Sequence, residues 1–465
     1  MEFKQFYLAC LAHASYLVGD AGECAVVDPQ RDVDGYIDEA NKRGLVIKHV
    51  IETHLHADFV SGHVELARRT GATIHIGARA AAGFEHHAVH DGDEIVLGDV
   101  VLRFLETPGH TPESLCVLVI DKAKRDEPVA VLTGDTLFIG DVGRPDLVSS
   151  KGYTAADMAG LMYDSLREKL MTLPDDVEVY PAHGAGSACG RNISKDLSST
   201  LARQKEVNHA LQPMTRVEFV ERMTAGLEPP PRYFPHSAEM NRQGAPALGD
   251  LPTPSSLSPD ALERAVHAGA RVLDVRTQDE YAAGHVPGAL NIPLGGMFAS
   301  WAGTLLDADQ PLVLVSADEA TQAEAVMRLA RVGMQNVVGA LSGGITSWQA
   351  DGRVVRRHER IDVDELRRRV EHDPELVVVD VRRVGEHVAG HVPGAVNVPL
   401  HEIEARVGEL DPSRPTAIIC AGGYRSSIAS GFLERAGLVD LVDVRGGTGA
   451  WVDAGFPVDA VAPVG

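Results

Sequence analysis

The stretch Thr53-His54-Leu55-His56-Ala57-Asp58-Phe59 sets two imidazoles and a carboxylate at alternating positions, directly after the apolar run Val46 to Ile51. These are the donor types that hold a divalent transition ion. Three more donors follow apolar runs of their own: His110 in Thr107-Pro108-Gly109-His110-Thr111, Asp135 in Thr133-Gly134-Asp135-Thr136, and His183 in Pro181-Ala182-His183-Gly184. Far along the chain, Ile418-Ile419-Cys420-Ala421-Gly422-Gly423-Tyr424-Arg425-Ser426 carries a different chemistry. It reads as a strand ending at a thiol, a glycine-bearing loop and a helix start. A thiolate at a helix N-terminus, ringed by backbone N–H groups and beside an arginine, is a good nucleophile, and a persulfide formed on it uses the same cradle. Cys420 and Arg425 are therefore the candidate catalytic pair, with Gly422, Gly423 and Tyr424 as the loop that holds the anionic sulfur.

Metal donors delivered from several strand ends need a rigid scaffold beneath their loops. Strand-like runs precede each one: Val100 to Leu105 before His110, Val129 to Leu132 before Asp135, and Val177 to Val179 before His183. The C-terminal half is a duplication. Leu273-Asp274-Val275-Arg276, Gly284-His285-Val286-Pro287-Gly288-Ala289 and Asn291-Ile292-Pro293-Leu294 return as Val379-Asp380-Val381-Arg382, Gly390-His391-Val392-Pro393-Gly394-Ala395 and Asn397-Val398-Pro399-Leu400. Gly343-Gly344 with Trp348 returns as Gly446-Gly447 with Trp451. A period of about one hundred residues is a repeated domain rather than a solenoid. Each copy alternates fully apolar strands with helical stretches, which predicts parallel α/β sheets covered on both faces. The Pro-, Ser- and Gly-rich stretch from Glu228 to Pro259 reads as a linker, and a second junction falls near Gly352 to Ile361, where Arg353, Arg356, Arg357 and Arg360 read as solvated. The expected domains are 1–235, 255–355 and 360–462.

The 465 residues carry a net charge of -23, which argues against nucleic acid or an anionic membrane as partner. No run reaches the ~18 apolar residues of a membrane span, and the start, Met1 to Tyr7, has no secretory pattern. Five widely spaced cysteines fit free thiols in a reducing compartment, so a cytoplasmic protein is expected. Cys10, Cys24 and Cys116 sit in apolar runs and are expected to be inert core thiols. His75, His86, His87, His90 and His209 are read as ordinary core or surface histidines.

The four metal-donor motifs, in this order, resemble the metallo-β-lactamase superfamily over roughly residues 1–230. The resemblance implies two sheets sandwiched between helices, with the metal at one edge of the sheets. In its two-metal hydrolases the residue after the aspartate is a third histidine; here it is Phe59, which has no lone pair. The pattern looks like the persulfide dioxygenase branch, and by that resemblance His54, His110 and Asp135 hold one Fe(2+) per chain while His56, Asp58 and His183 orient them. A competing assignment takes His54, His56 and His110 as a three-histidine Zn(2+) site. Asp141-Val142-Gly143-Arg144-Pro145-Asp146 resembles the family's Gly-Arg-x-Asp segment, so Arg144 either clamps a substrate carboxylate or braces the metal loop through Asp146. Glutathione-using members carry a tyrosine two positions after His183; here it is Ala185, and Cys189 close by is a candidate to receive sulfur or to line the pocket.

The duplicated half resembles the rhodanese sulfurtransferases. In the first copy Ser316 stands where Cys420 stands in the second, Thr321 replaces the arginine, and Asp318 and Glu319 add negative charge. A hydroxyl cannot carry a persulfide, so this copy is expected to be inactive. The resemblance as a whole implies an enzyme that uses O2 to oxidise a small thiol persulfide to sulfite, coupled to sulfur transfer through Cys420 that gives thiosulfate, in an assembly of identical chains. Two other readings stand beside it: a zinc-dependent thioester hydrolase of the glyoxalase II kind, and a sulfur carrier whose metal domain only scaffolds.

Overall fold

A computed structural model of the chain describes residues 1–148 and 152–460. The chain divides into two compact units, Met1–Leu251 with Leu329–Gly333, and Pro252–Arg328 with Met334–Gly465. The end of the third expected domain, residue 462, lies outside the described residues. Among the described residues no helix is long and apolar enough to cross a membrane.

The first unit contains two six-stranded sheets. One runs β1 (Glu2–Leu8), β2 (His13–Asp20), β3 (Glu23–Val27), β4 (Val46–Glu52), β5 (Thr73–Gly77), β6 (His87–Val89) in sequence order. The other is built from β7 (Glu94–Leu97), β8 (Val100–Glu106), β9 (Leu115–Asp121), β10 (Ala130–Gly134), β11 (Glu178–Pro181) and β12 (Ser199–Thr200), again with sequence neighbours adjacent. Side chains alternate across each strand, so one strand feeds two layers of core. On β2, Tyr16 and Val18 pack between the sheets while Leu17 faces the helices Asp34–Arg43 and His63–Thr70. On β9, Val117 and Val119 join the inter-sheet core while Cys116 and Leu118 meet Met162 and Phe219 of the helices Ala155–Ser165 and Arg216–Thr224. Burial on both faces is why these strands read as unbroken apolar runs. The result is the expected helix–sheet–sheet–helix sandwich. Cys24 and Cys116 lie in its core, whereas Cys10 sits half-buried in the turn between β1 and β2 rather than in a strand.

The stretch that reads as a linker is partly folded into the first unit. It forms the helix Phe234–Gln243, whose Phe234, Ser237 and Asn241 are buried. Pro235 in its first turn suits a helix start, where the missing N–H costs nothing. Composition had marked the prolines; it did not mark the apolar face that follows them.

The second unit holds two five-stranded sheets, parallel throughout. The first is β13 (Ser255–Leu257), β14 (Arg271–Asp274), β15 (Leu290–Asn291), β16 (Leu312–Val315) and β17 (Val337–Leu341), in the order β13-β17-β16-β14-β15. The second is β18 (Glu359–Ile361), β19 (Val377–Asp380), β20 (Val396–Asn397), β21 (Thr416–Ile419) and β22 (Leu441–Val444), in the equivalent order β18-β22-β21-β19-β20. The repeated phrase is a structural buckle. Arg276 Nε and Nη2 donate to buried Asp274, Nη2 also to Gly284 O, and Asn291 ties Asp274 O to Arg276 O. Arg382, Asp380, Gly390 and Asn397 repeat each of these bonds. The basic stretch is more ordered than a solvated linker: Arg360 bonds buried Asp443 at 2.7 Å and Asp279 at 2.8 Å.

The paired glycines have a specific cause. A Cβ on Gly447, at φ +56°, would stand 2.1 Å from Cys420 O, and one on Gly344 would stand 2.9 Å from Ser316 O. The turn must press against the residue that ends the neighbouring strand. Gly447→Ala is expected to cost about 2 kcal/mol or more in denaturant unfolding, from the positive φ and the backbone clash together. An alanine variant as stable as the parent would contradict this packing.

Candidate metal centre and sulfur-transfer loop

The metal donors emerge where β4, β8, β10 and β11 end. His54, His110 and Asp135 are buried, and their donor atoms converge. His54 Nε2 lies 3.8 Å and His110 Nε2 3.5 Å from Asp135 Oδ2. Atoms about 2.1 Å from a common ion stand roughly 3 to 3.5 Å apart, so the set is close to the span of one ion. His54 Nε2 and Asp135 Oδ2 are buried with no hydrogen-bond partner, as donors awaiting an ion would be.

The surrounding bonds set the tautomers. His54 Nδ1 is 3.0 Å from Thr53 Oγ1, which donates to Asp28 at 2.8 Å; with Nδ1–H donating, Nε2 keeps its lone pair for a metal. His110 Nδ1 likewise meets Arg144 O at 2.8 Å. Asp135 Oδ1 bonds His183 Nδ1 at 2.7 Å, and His183 Nε2 lies 2.7 Å from Asp58. Burial works against a charged His183, but Asp135 and Asp58 outweigh it and push its pKa well up. Burial alone would raise Asp58; His183 instead brings it down to about 2. The ring is thus an imidazolium between two carboxylates. Burial, helped by neighbouring imidazoles, lowers His54 well below its usual range and keeps it neutral. Thr53→Val keeps the shape but removes the hydroxyl, and is expected to weaken metal affinity about 10- to 100-fold. Competition against a chelator measures it, and an unchanged affinity would show that the Asp28–Thr53–His54 chain does no orienting.

Of the other expected residues, His56 does not join the convergent set. It groups with Asp28 and Glu52, its Nε2 3.2 Å from Asp28 Oδ1. Phe59 is fully buried, its ring centroid 4.1 Å from that of His13 and 4.4 Å from that of His56. Arg144 forks onto Asp146 at 2.7 and 2.8 Å and reaches Glu228 O at 2.5 Å. Cys189 is buried, with its thiol near Asp58 and His183. Burial first, then the Asp58 and Asp135 carboxylates, raise its pKa well above the usual thiol range. Without a metal it is a neutral thiol lining the site.

Several residues escaped the sequence reading. Asp28 directly follows β3 and accepts from both the backbone and the hydroxyl of Thr53. Asn241, from the stretch read as a linker, donates to His56 O and Phe59 O at 2.7 Å each and accepts from Ser61 N at 2.8 Å. Tyr233 donates to Asp58 O at 3.0 Å. Only Asp28, in Val27-Asp28-Pro29 just past an apolar run, carried a local signal.

In the second unit Cys420 directly follows β21 and is 1% exposed. Its Sγ accepts from Gly423 N–H at 3.0 Å and lies 3.6 Å from Ser426 Oγ. The helix Tyr424–Arg435 starts at the loop. Gly423, at φ +91°, is the loop glycine whose backbone needs to be glycine; Gly422 has no positive φ and open space at its Cβ. Arg425 forks onto Glu386 at 2.6 and 2.7 Å, so a carboxylate already holds it. Tyr424 OH donates to Pro293 O of the first copy at 2.7 Å. In the first copy Ser316 Oγ bonds Asp318 O at 3.1 Å.

Residues 8–183 match the family model described as Metallo-beta-lactamase superfamily, and residues 258–351 and 362–454 match the Rhodanese-like domain. The chain is similar to a metallo-beta-lactamase of known structure from Staphylococcus aureus subsp. aureus COL, at 32% identity and TM-score 0.66 over 73% of this chain and 98% of that one. It is 32% identical to a hydroxyacylglutathione hydrolase of Polaromonas sp., over 41% of this chain and 67% of the relative. It is 30% identical to the mitochondrial persulfide dioxygenase ETHE1 of Homo sapiens, over 36% of this chain and 63% of that protein's length. The chain belongs to the metallo-beta-lactamase superfamily. Behind that domain it carries two rhodanese-like domains, so an enzymatic metal fold and a sulfurtransferase fold share one polypeptide.

Proposed function

We propose that this chain oxidises a low-molecular-weight thiol persulfide to sulfite and passes sulfane sulfur through Cys420 to make thiosulfate. The observation that carries the reading is the donor set: two imidazoles and one carboxylate, with His54 Nε2 and Asp135 Oδ2 otherwise unpartnered, on the same chain as a buried cysteine loop. His54, His110 and Asp135 would hold Fe(2+), which when bound would supply the chemistry that brings O2 to the persulfide sulfur. Persulfide, O2 and water give thiol and sulfite. His183, bonded to Asp135, holds that carboxylate in place and can keep or release a proton at Nε2 toward Asp58.

Cys420 takes sulfane sulfur from a second persulfide: its S–S bond forms as the donor's breaks, and the donor leaves as thiol. Attack by sulfite on the outer sulfur then frees the Cys420 thiolate and gives thiosulfate. The Gly423 N–H stands where it would stabilise the anionic sulfur. Similarity to a hydroxyacylglutathione hydrolase keeps the zinc thioester hydrolase as the second reading. Purified chain, assayed for metal, O2 uptake and sulfite with glutathione and coenzyme A persulfides, separates the two. Zinc alone, with thioester cleavage and no O2 uptake, would overturn the first.

A further inference from the structure

We propose that Asp28, Glu52 and His56, flanked by His63, form a second divalent-cation site beside the His54–His110–Asp135 set. Their donor atoms lie within 4.8 Å of one another, and all are buried. Asp28 and Glu52 form no ion pair with lysine or arginine among the described residues; the basic side chains within 4 Å of their oxygens are the imidazoles of His56 and His63. Thr53 satisfies Asp28, and Ser61 Oγ donates to Glu52 Oε1 at 2.8 Å. Glu52 Oε2, both ring nitrogens of His56 and both of His63 are buried and have no hydrogen-bond partner. So many orphaned donors around two desolvated carboxylates is an unusual arrangement for a folded chain. One divalent ion neutralises both carboxylates and takes Glu52 Oε2 and His56 Nε2 in the same step.

The donor chemistry selects the ion. Two carboxylates and an imidazole suit Mn2+, Fe2+ or Zn2+, whereas Ca2+ asks for six to eight oxygens. The site is separate from the first, because His56 has turned toward Asp28 and shares no donor atom with the convergent set. The two are linked through Thr53, which bonds both Asp28 and His54. The proposal does not depend on which reaction the first centre performs.

The test uses full-length protein stripped with a chelator, reloaded with Mn2+ alone or Zn2+ alone, and freed of excess ion before counting. Wild type is expected to hold about two ions per chain, Glu52→Gln about one, Asp135→Ala about one, and the double variant none. Should Glu52→Gln fail to fold, His56→Phe removes the nitrogen donor while keeping an aromatic ring, and the same loss of one ion is expected. Wild type saturating at one ion would overturn the proposal, leaving His56 as a simple counter-charge. Two ions retained in Glu52→Gln would overturn it too, by moving the second ion to Asp58, His183 and Cys189.

Discussion

Asp135→Ala is expected to lower persulfide-dependent O2 uptake by at least about a thousand-fold, because the variant loses the one carboxylate of the donor set. The size follows from where Asp135 sits. Its Oδ2 faces both His54 and His110, and its Oδ1 holds His183. Removing it takes away a ligand and also frees the imidazolium that Asp58 then holds alone. A weakened ligand set would lower activity in proportion to occupancy and recover with added metal; a missing one would not recover. The same preparation carries its own control for folding. Sulfur transfer from thiosulfate through Cys420 depends on the second unit and is expected to be unchanged. Retained O2 uptake in Asp135→Ala would contradict the assignment of the donor set.

Cys420→Ser should give the opposite pattern. Thiosulfate formation from persulfide and sulfite falls to the uncatalysed background, about a thousand-fold or more, while O2 uptake and sulfite release continue. The chain already contains a natural version of this change. Ser316 directly follows the equivalent strand of the first copy, in a fold with the same sheet order and the same Asp–Arg–Asn buckle. Sulfite should accumulate in place of thiosulfate. Loss of O2 uptake in Cys420→Ser would mean that the two reactions are not divided between two sites.

What could be read in the residues, and what could not, follows from the range of each interaction. The sandwich and the paired parallel sheets were legible because alternating and continuous apolar runs are local patterns with one geometric meaning. The repeat was legible for the same reason, although its physical cause was not. The Asp–Arg–Asn phrase turned out to be a hydrogen-bonded buckle, and the paired glycines a close approach to the strand end. Metal donors could be picked out as types after strands, but convergence is a distance. Sequence spacing left both His54–His56–His110 and His54–His110–Asp135 open, and it gave no sign that His56 Nε2 would lie 3.2 Å from Asp28 Oδ1. Asn241 and Tyr233 were hidden because their bonds to the loop of His56 to Ser61 span more than 170 residues. Arg425 reads as a free anion clamp in the sequence, and Glu386, thirty-nine positions away, already holds it.

The most direct measurement is metal content together with O2 and sulfite stoichiometry on the full chain, using a purified thiol persulfide under single-metal loading. The expected result is Fe(2+)-dependent uptake of about one O2 per sulfite formed, absent in the zinc-loaded protein. Activity on a thioester with zinc, and no O2 uptake with iron, would contradict the assignment of a persulfide dioxygenase.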